Sequence, residues 1–83
     1  MNYVALIGII KTVEKQKLNT HVLLKVQKTV QASNDEKWYE IVKVKIPSTE
    51  FKSEITEMKE GDVVGIKGRI AKNEVVAERV QIF

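Results

Sequence analysis

The segment STEFKSEITEMKEGD, residues 48–62, has a different hydrophobic period from the sequence on either side of it. Phe51, Ile55 and Met58 recur at a spacing of four and then three residues, which places them on one stripe of a helix. The segments before and after it alternate apolar and polar residues, which is typical of strands. The sequence therefore predicts one short helix between two groups of strands, with this apolar stripe in the core.

Residues at both ends of this segment suit the ends of a helix. Ser48 or Thr49 is predicted to cap the N-terminus with its hydroxyl group, and Glu50 is expected near the positive end of the helix dipole. Gly61 is predicted to adopt the left-handed conformation that stops the helix.

Five segments have the patterns expected of strands, and short polar stretches separate them. The predicted strands cover residues 3–15, 21–30, 38–46, 62–71 and 75–83. Three strands, one helix and two strands are the layout of the OB-fold, a small Greek-key barrel. An SH3-like barrel is the competing architecture, but it usually lacks a helix at this place. We therefore predict that residues 1–83 form a single all-β OB-fold domain with five strands.

Alternation along each strand assigns its side chains to an inner or an outer face. The residues predicted to point inward are Val4, Leu6, Ile10, Val22, Leu24, Val26, Val42, Val44, Ile46, Val64, Ile66 and Ile70. The first strand is also apolar on its outer side, at Ala5, Ile7 and Ile9. Because an exposed apolar strand surface promotes association, we predict that these three residues form an oligomer interface. A loop covering this side is the alternative.

The chain has 83 residues and a net charge of +3, and the charge is unevenly distributed. Residues 1–46 contain eight lysines and four acidic residues, whereas residues 47–83 contain six basic and seven acidic residues. A positive first half suits an anionic partner, although lysines that only confer solubility would give the same composition.

Several classes of protein are disfavoured by what the sequence lacks. It has no cysteine, no apolar run of about 18 residues and no signal peptide pattern, so we predict a cytoplasmic protein without a membrane partner. The single histidine, His21, is interpreted as a surface residue. Neither a phosphate-binding glycine loop nor a nucleophile–base pair is recognisable. We predict no catalytic residue, no metal site and no cofactor.

Four stretches of the chain resemble the DNA-binding core of the bacterial single-stranded DNA-binding protein family. They are MNYVALIGII at the start, WYEIVKVKI in the third strand, EGDVVGIKGRI at the fourth and AERVQIF at the end. The third stretch is similar to the family pattern Lys/Glu-Gly-x-x-Val-x-Ile-x-Gly-x-Leu. The resemblance extends over nearly the whole chain, and the tailless, dimeric primosomal replication protein is also similar in outline. It implies single-stranded DNA as the ligand and pairing of first strands into a dimer or a tetramer.

Three features differ from the family pattern. The hairpin between strands 4 and 5 is reduced to KNE, residues 72–74, and the chain is poor in stacking aromatic residues. Most members also continue into a disordered tail with an acidic tip that recruits replication proteins, whereas this sequence stops at Phe83. The resemblance therefore implies a minimal member and does not extend to the recruiting role.

Binding of single strands without sequence preference requires cations for phosphates and flat side chains for bases. The predicted binding residues on strands 2 and 3 are Lys25, Gln27, Thr29, Trp38, Tyr39, Lys43 and Lys45. Trp38 and Tyr39 cannot share a face by simple alternation. The resemblance favours Trp38 as the stacking residue, whereas the phase of strand 3 favours Tyr39. A bulge at the start of the strand would accommodate both.

Other candidates lie outside these two strands. Lys67 and Arg69 point outward on strand 4, where they would either extend the basic surface or be solvated. Tyr3 is interpreted as a lid on the core, with base stacking as the alternative. We predict a non-catalytic protein that binds single-stranded DNA in replication, recombination or repair. An RNA-binding protein, a primosome accessory protein and a protein-interaction module are the alternatives.

Overall fold

The computed structural model describes residues 3–27 and 39–83. Its elements are β1 (Tyr3–Glu14), β2 (Asn19–Gln27), β3 (Tyr39–Pro47), α1 (Lys52–Glu57), β4 (Val63–Ala71) and β5 (Glu74–Ile82). The strands form a closed barrel in the order β1-β2-β3-β5-β4. Strands β3 and β5 are parallel, and the other neighbours are antiparallel. The predicted OB-fold is confirmed.

Strand β1 pairs with two neighbours and thereby closes the barrel. Its first half, from Tyr3 to Ile9, pairs with β4, and its second half, from Ile9 to Glu14, pairs with β2. The register shifts between Ile10 and Thr12, so that Lys11 is an extra residue opposite β2. Such a bulge bends the strand and increases its twist, which allows β1 to pass from one half of the barrel to the other.

The core contains most of the residues predicted to face inward. The buried hydrophobic side chains are Ile10, Val22, Leu24, Val44, Ile46, Ile55, Met58, Val64, Ile66, Val75 and Ala77. Ile70 was predicted in the core, and this prediction is wrong because its side chain is 49% exposed. Within the described residues β1 begins at Tyr3, which pairs with Arg69. Ile70 lies one residue beyond the end of that ladder, at the rim of the barrel as far as the described residues extend.

Helix α1 is shorter than the sequence pattern indicated. Its N-cap position is Phe51, which makes no capping side-chain hydrogen bond, so the predicted cap at Ser48 or Thr49 is wrong. The apolar stripe is confirmed as core, because Ile55 and Met58 are buried and Phe51 packs against them. In the part of the chain that the structure describes, no helix is both long and apolar enough to span a bilayer.

The hydroxyl of Ser48 is used in a tertiary contact instead of a helix cap. It donates a hydrogen bond of 2.8 Å to the carbonyl oxygen of Gln16. The hydroxyl of Thr20, which is fully buried, lies 3.0 Å from it. Because the single Ser48 proton goes to Gln16, Thr20 is the donor in this second bond. With the Ser48 amide bonded to the carbonyl of Leu18, these contacts tie the β1–β2 loop to the end of β3.

Two turns lead into and out of β4. Gly61 has a φ of 92°, as predicted, but it shapes a turn that follows the helix. In that turn the amide of Asp62 donates to the carbonyl of Lys59, and the amide of Lys59 donates to the Asp62 carboxylate. The β4–β5 hairpin is as short as KNE indicated, since only Lys72 and Asn73 separate its strands, both with positive φ. This is the backbone expected of a type I′ turn.

Replacement of Gly68 by alanine is predicted to destabilise the barrel. An added Cβ would collide with the backbone carbonyl of Val76, which the β4–β5 ladder holds in place. We expect Gly68→Ala to lower the free energy of unfolding by about 2–3 kcal/mol, measured by urea denaturation. Gly65→Ala is the control, because the closest neighbour of its Cβ would be the movable ring of the exposed Phe83 at 3.1 Å, and the nearest backbone atom, the Leu6 oxygen, would be 4.0 Å away. Equal stability of the two variants would contradict the prediction.

Candidate nucleic-acid interface

The outward side chains of β2 and β3 form one continuous surface, which we call the basic face. Directly paired residues lie on the same side of a sheet. The pairs on this side are Gln27–Tyr39, Lys25–Ile41, Leu23–Lys43 and His21–Lys45. The structure thus brings together five of the predicted binding residues. Cations alternate with apolar side chains down this surface, because Ile41 lies opposite Lys25 and Leu23 lies opposite Lys43.

Two predicted binding residues, Thr29 and Trp38, lie outside the described residues. The question of which aromatic ring faces the lysines is therefore answered for Tyr39 alone. Tyr39 is the first residue of β3, and its outward phase agrees with that of Lys43 and Lys45. Its binding role, like that of Trp38, stays a prediction.

Tyr39 is held in a cation–π contact. The Nζ atom of Lys25 lies 4.2 Å from the centre of the tyrosine ring. This contact orders both side chains and places a positive charge over one face of the ring. A base that stacked on that face would have to displace Lys25, whereas a phosphate could approach the ammonium group directly.

The lysines of the basic face differ in their ion pairing. Lys45 Nζ lies 3.5 Å from the carboxylate of Glu74, and both side chains are largely covered. Glu74 is the first residue of β5, which is the strand next to β3. Among the described residues, Lys25 and Lys43 have no carboxylate within ion-pair distance. These two lysines are therefore the cations most available to an anionic ligand, and Lys45 is partly neutralised.

A shallow polar cavity of about 360 Å³ adjoins the basic face at the β1–β2 loop. It is lined by Thr12, Glu14, Gln16, His21, Leu23 and Lys43. Gln16 donates a 2.7 Å hydrogen bond to the Glu14 carboxylate. Across residues 3–27 and 39–83, no group of histidine or acidic side chains is arranged to hold a metal ion.

The amino-acid pattern does not predict this cavity, because the bulge at Lys11 changes the phase of β1. Simple alternation from Ile10 puts Thr12 and Glu14 on the inner side of β1, whereas the extra residue turns both outward and Val13 inward. The sequence does contain a signal for the bulge. A charged glutamate is rarely buried, so Glu14 is expected on the outer side. Val13, between two polar residues, then indicates that the inward phase of the strand has shifted by one residue.

The two candidates on β4 lie away from the basic face. Arg69 pairs with Val76 of β5, and Val76 pairs with Lys45 of β3. Arg69 is thus two strands from Lys45, about 10 Å across the sheet. Lys67 pairs with Arg79 on β5 and with Ala5 on β1. Arg69 also lies 3.7 Å from the carboxylate of Glu78, in an exposed ion pair.

A second surface, on the outside of β1 and β4, is apolar. We call it the apolar face and define it by Ala5, Ile7, Ile9, Val63 and Phe83. All five are exposed, and the Ile7 and Phe83 side chains are each 65% accessible. Val63 pairs with Ile9, and the amide of Phe83 donates to the carbonyl of Val63. The predicted interface residues therefore belong to a larger patch, and its role in association stays a prediction.

Tyr3 is not the lid on the core that the sequence indicated. Its side chain is 64% exposed and lies in the outer phase of β1, in the same phase as Ala5 and Ile7. The correct phase was available from the alternation, because Tyr3 and Ala5 are two residues apart in one strand.

No protein-family model matches the sequence, and no curated protein matches it. Solved structures do match. The dimeric N-terminal domain of PriB from Thermoanaerobacter tencongensis is 19% identical, with 99% of this chain and 96% of that chain covered and a TM-score of 0.75. Plasmodium falciparum SSB in complex with ssDNA is 13% identical, and the match covers 100% of this chain and 95% of that chain with a TM-score of 0.74. A small single-stranded DNA binding protein from Mycoplasma pneumoniae is 14% identical, and the match covers 98% of this chain and 92% of that chain with a TM-score of 0.70. At these identities the similarity concerns the fold.

Proposed function

We propose that this protein binds single-stranded DNA through the basic face, without sequence preference and without catalysis. The observation that carries the proposal is the alignment of Lys25, Lys43 and Tyr39 on one exposed sheet surface. It is supported by the shared fold, since the proteins with this fold include a small single-stranded DNA binding protein, an SSB in complex with ssDNA and PriB. The protein would protect or organise exposed strands in replication, recombination or repair. Its cytoplasmic location stays a prediction.

The composition of the basic face suits the two parts of a nucleotide. Lys25 and Lys43 would neutralise phosphates and release counterions, which makes binding dependent on salt. Tyr39 offers a ring for a base, and each stacked base contributes about 1–3 kcal/mol. Ile41 and Leu23 provide apolar contacts between the cations, where the faces of bases or sugars would lie. Phosphate contacts and ring stacking do not depend on which base is present, which agrees with binding that tolerates any sequence.

We further propose that the apolar face pairs with a second copy of the chain. Ile7, Ile9, Val63 and Phe83 together expose a continuous apolar surface on a small protein. Exposed apolar surface of this kind is stabilised when a partner removes it from water. Because the patch lies on β1 and β4, a partner on it leaves the outer side of β3 uncovered.

Reversal of one charge on the basic face is predicted to abolish binding. Lys43→Glu places a carboxylate among the phosphates, and its side chain is exposed, so we expect the fold to be retained. The fluorescence of Trp38, the only tryptophan, can be titrated with oligo-dT at two salt concentrations. We expect salt-sensitive quenching in the original protein and none in the variant.

The matched control is Lys59→Glu, which makes the same charge change at an exposed residue beyond α1. Equal binding by the original protein, Lys43→Glu and Lys59→Glu would refute the proposed site. If the protein retains no DNA at low salt, the proposed function itself is wrong, and a protein-interaction module is favoured. A parallel titration with oligo-rU separates DNA binding from RNA binding.

Removal of the carboxylate that neutralises Lys45 is predicted to strengthen binding. Glu74→Gln breaks the 3.5 Å ion pair and gives the ligand a third available lysine. We expect a lower Kd for oligo-dT and a salt slope steeper by up to about 0.7, the contribution of one additional phosphate on a single strand. Glu57→Gln, at an exposed position of α1, is the control for net charge. Identical Kd values for both variants would show that Lys45 makes no contact with the oligo-dT.

A charge on the apolar face is predicted to dissociate the oligomer. Ile7→Asp places a carboxylate at the centre of the patch, and its burial between two copies would be unfavourable. Light scattering coupled to size exclusion should then give the mass of a monomer. Leu18→Asp is the control, because Leu18 is 71% exposed but lies in the β1–β2 loop. If Ile7→Asp and the original protein have the same mass, the apolar face is not the interface.

A further inference from the structure

A recess of about 520 Å³ lies on the outer side of β1, β4 and β5, away from the basic face. We call it the Tyr3 recess, and it is lined by Tyr3, Val4, Ala5, Lys67, Gly68, Glu78 and Arg79. An exposed aromatic ring and two cations thus border a hollow of a size that holds a small ligand. The side chain of Ala5 is a single methyl group and therefore occupies little of this hollow.

The charges in the recess are unbalanced. Lys67 and Arg79 are direct partners across the β4–β5 ladder, and like charges opposite each other destabilise a sheet. Among the described residues, neither has a carboxylate within ion-pair distance, because Glu78 is directed to Arg69 at 3.7 Å. An anion placed between the two cations would remove this repulsion.

The recess is connected to the basic face by one row of paired residues. From Lys45 the row passes to Val76, then to Arg69, and then to Tyr3. The hairpin that borders this row is a tight turn at Lys72 and Asn73, so no long arm stands between the two surfaces. A single strand that leaves the basic face at Lys45 can therefore cross β5 and reach the recess.

We propose that the Tyr3 recess binds one further nucleotide of the same single strand, an inference that rests on the proposed function. The base stacks on Tyr3, and the phosphate lies between Lys67 and Arg79. The strand then wraps from β3 over β5 to β4 and β1, so that the occluded length exceeds what the basic face alone accommodates.

A fluorescent reporter tests occupancy of the recess directly. Tyr3→Trp combined with Trp38→Phe moves the only tryptophan into the recess and keeps an aromatic ring at both positions. We expect a long oligo-dT, of about 20 nucleotides, to quench this tryptophan, because it exceeds the roughly 4–16 nucleotides that one OB-fold occupies. A long oligonucleotide that binds without changing the emission would overturn the proposal.

A pair of neutral variants tests the phosphate contact independently. Lys67→Gln with Arg79→Gln should weaken binding of the long oligo-dT and reduce its salt slope by about 0.7, the value for one phosphate. Binding of a short oligo-dT, of about 6 nucleotides, should be unchanged because it fits on the basic face. The control is Lys52→Gln with Lys59→Gln, which removes the same charge at exposed positions in and beyond α1. Equal slopes for the two double variants would overturn the proposal.

The outcomes separate this inference from the function on which it rests. If Lys43→Glu abolishes binding of the short oligo-dT and the recess variants change nothing, the basic face stands and the recess is not used. If Lys43→Glu binds the short oligo-dT as well as the original protein does, the proposed site on the basic face is refuted, whatever the recess variants show. Light scattering gives the oligomeric state of every variant, so quenching of the recess tryptophan can be compared between the oligomer and the dissociated protein. If the long oligo-dT quenches this tryptophan only in the dissociated protein, a second copy on the neighbouring apolar face excludes the strand. That result would overturn the proposal for the oligomer.

Discussion

The double pairing of β1 is the constraint on which the rest of the structure depends. Every strand of a closed barrel has two neighbours, and β1 pairs with its two through different halves, because the bulge at Lys11 allows it to turn from β4 to β2. The same bulge sets the phase of the second half of the strand, where it directs Thr12 and Glu14 outward. In the first half, Ile7 and Ile9 point outward by simple alternation. The polar cavity therefore depends on this one extra residue, whereas the apolar face does not.

Ion pairing divides the cations of the barrel into two groups. Lys45 and Arg69 each lie beside a carboxylate of β5, whereas Lys25, Lys43, Lys67 and Arg79 lack one among the described residues. The number of basic residues on a sheet therefore overstates its attraction for an anion, and the register of the neighbouring strand determines which charges are available. In this barrel, β5 supplies both the neutralising acids and one of the available cations. That strand would consequently influence both the strength and the path of nucleic-acid binding.

The sequence was sufficient for the fold because local patterns and strand order agreed. The change of period at residues 48–62 located the helix, and alternation predicted the shared face of Lys25, Tyr39 and Lys43. The failures at Ser48 and Ile70 have a common cause, which is that a local sequence pattern does not reveal tertiary neighbours. Ser48 bonds to a distant loop instead of capping α1, and Ile70 lies beyond the end of a strand to which it is not adjacent in sequence. The ion pair of Lys45 with Glu74 likewise depends on the β3–β5 register.

The parallel joint between β3 and β5 has a consequence for the dynamics of the barrel. Only Val44 with Val75 and Lys45 with Val76 are in register there, so this is the shortest ladder and it joins residues that are distant in sequence. Short ladders with costly loop closure form late and open first by local unfolding. A nucleic-acid strand bound across Lys45 and Val76 would contact both β3 and β5 and hold the two strands together from outside. Ligand binding would then slow the opening of the barrel and increase its kinetic stability.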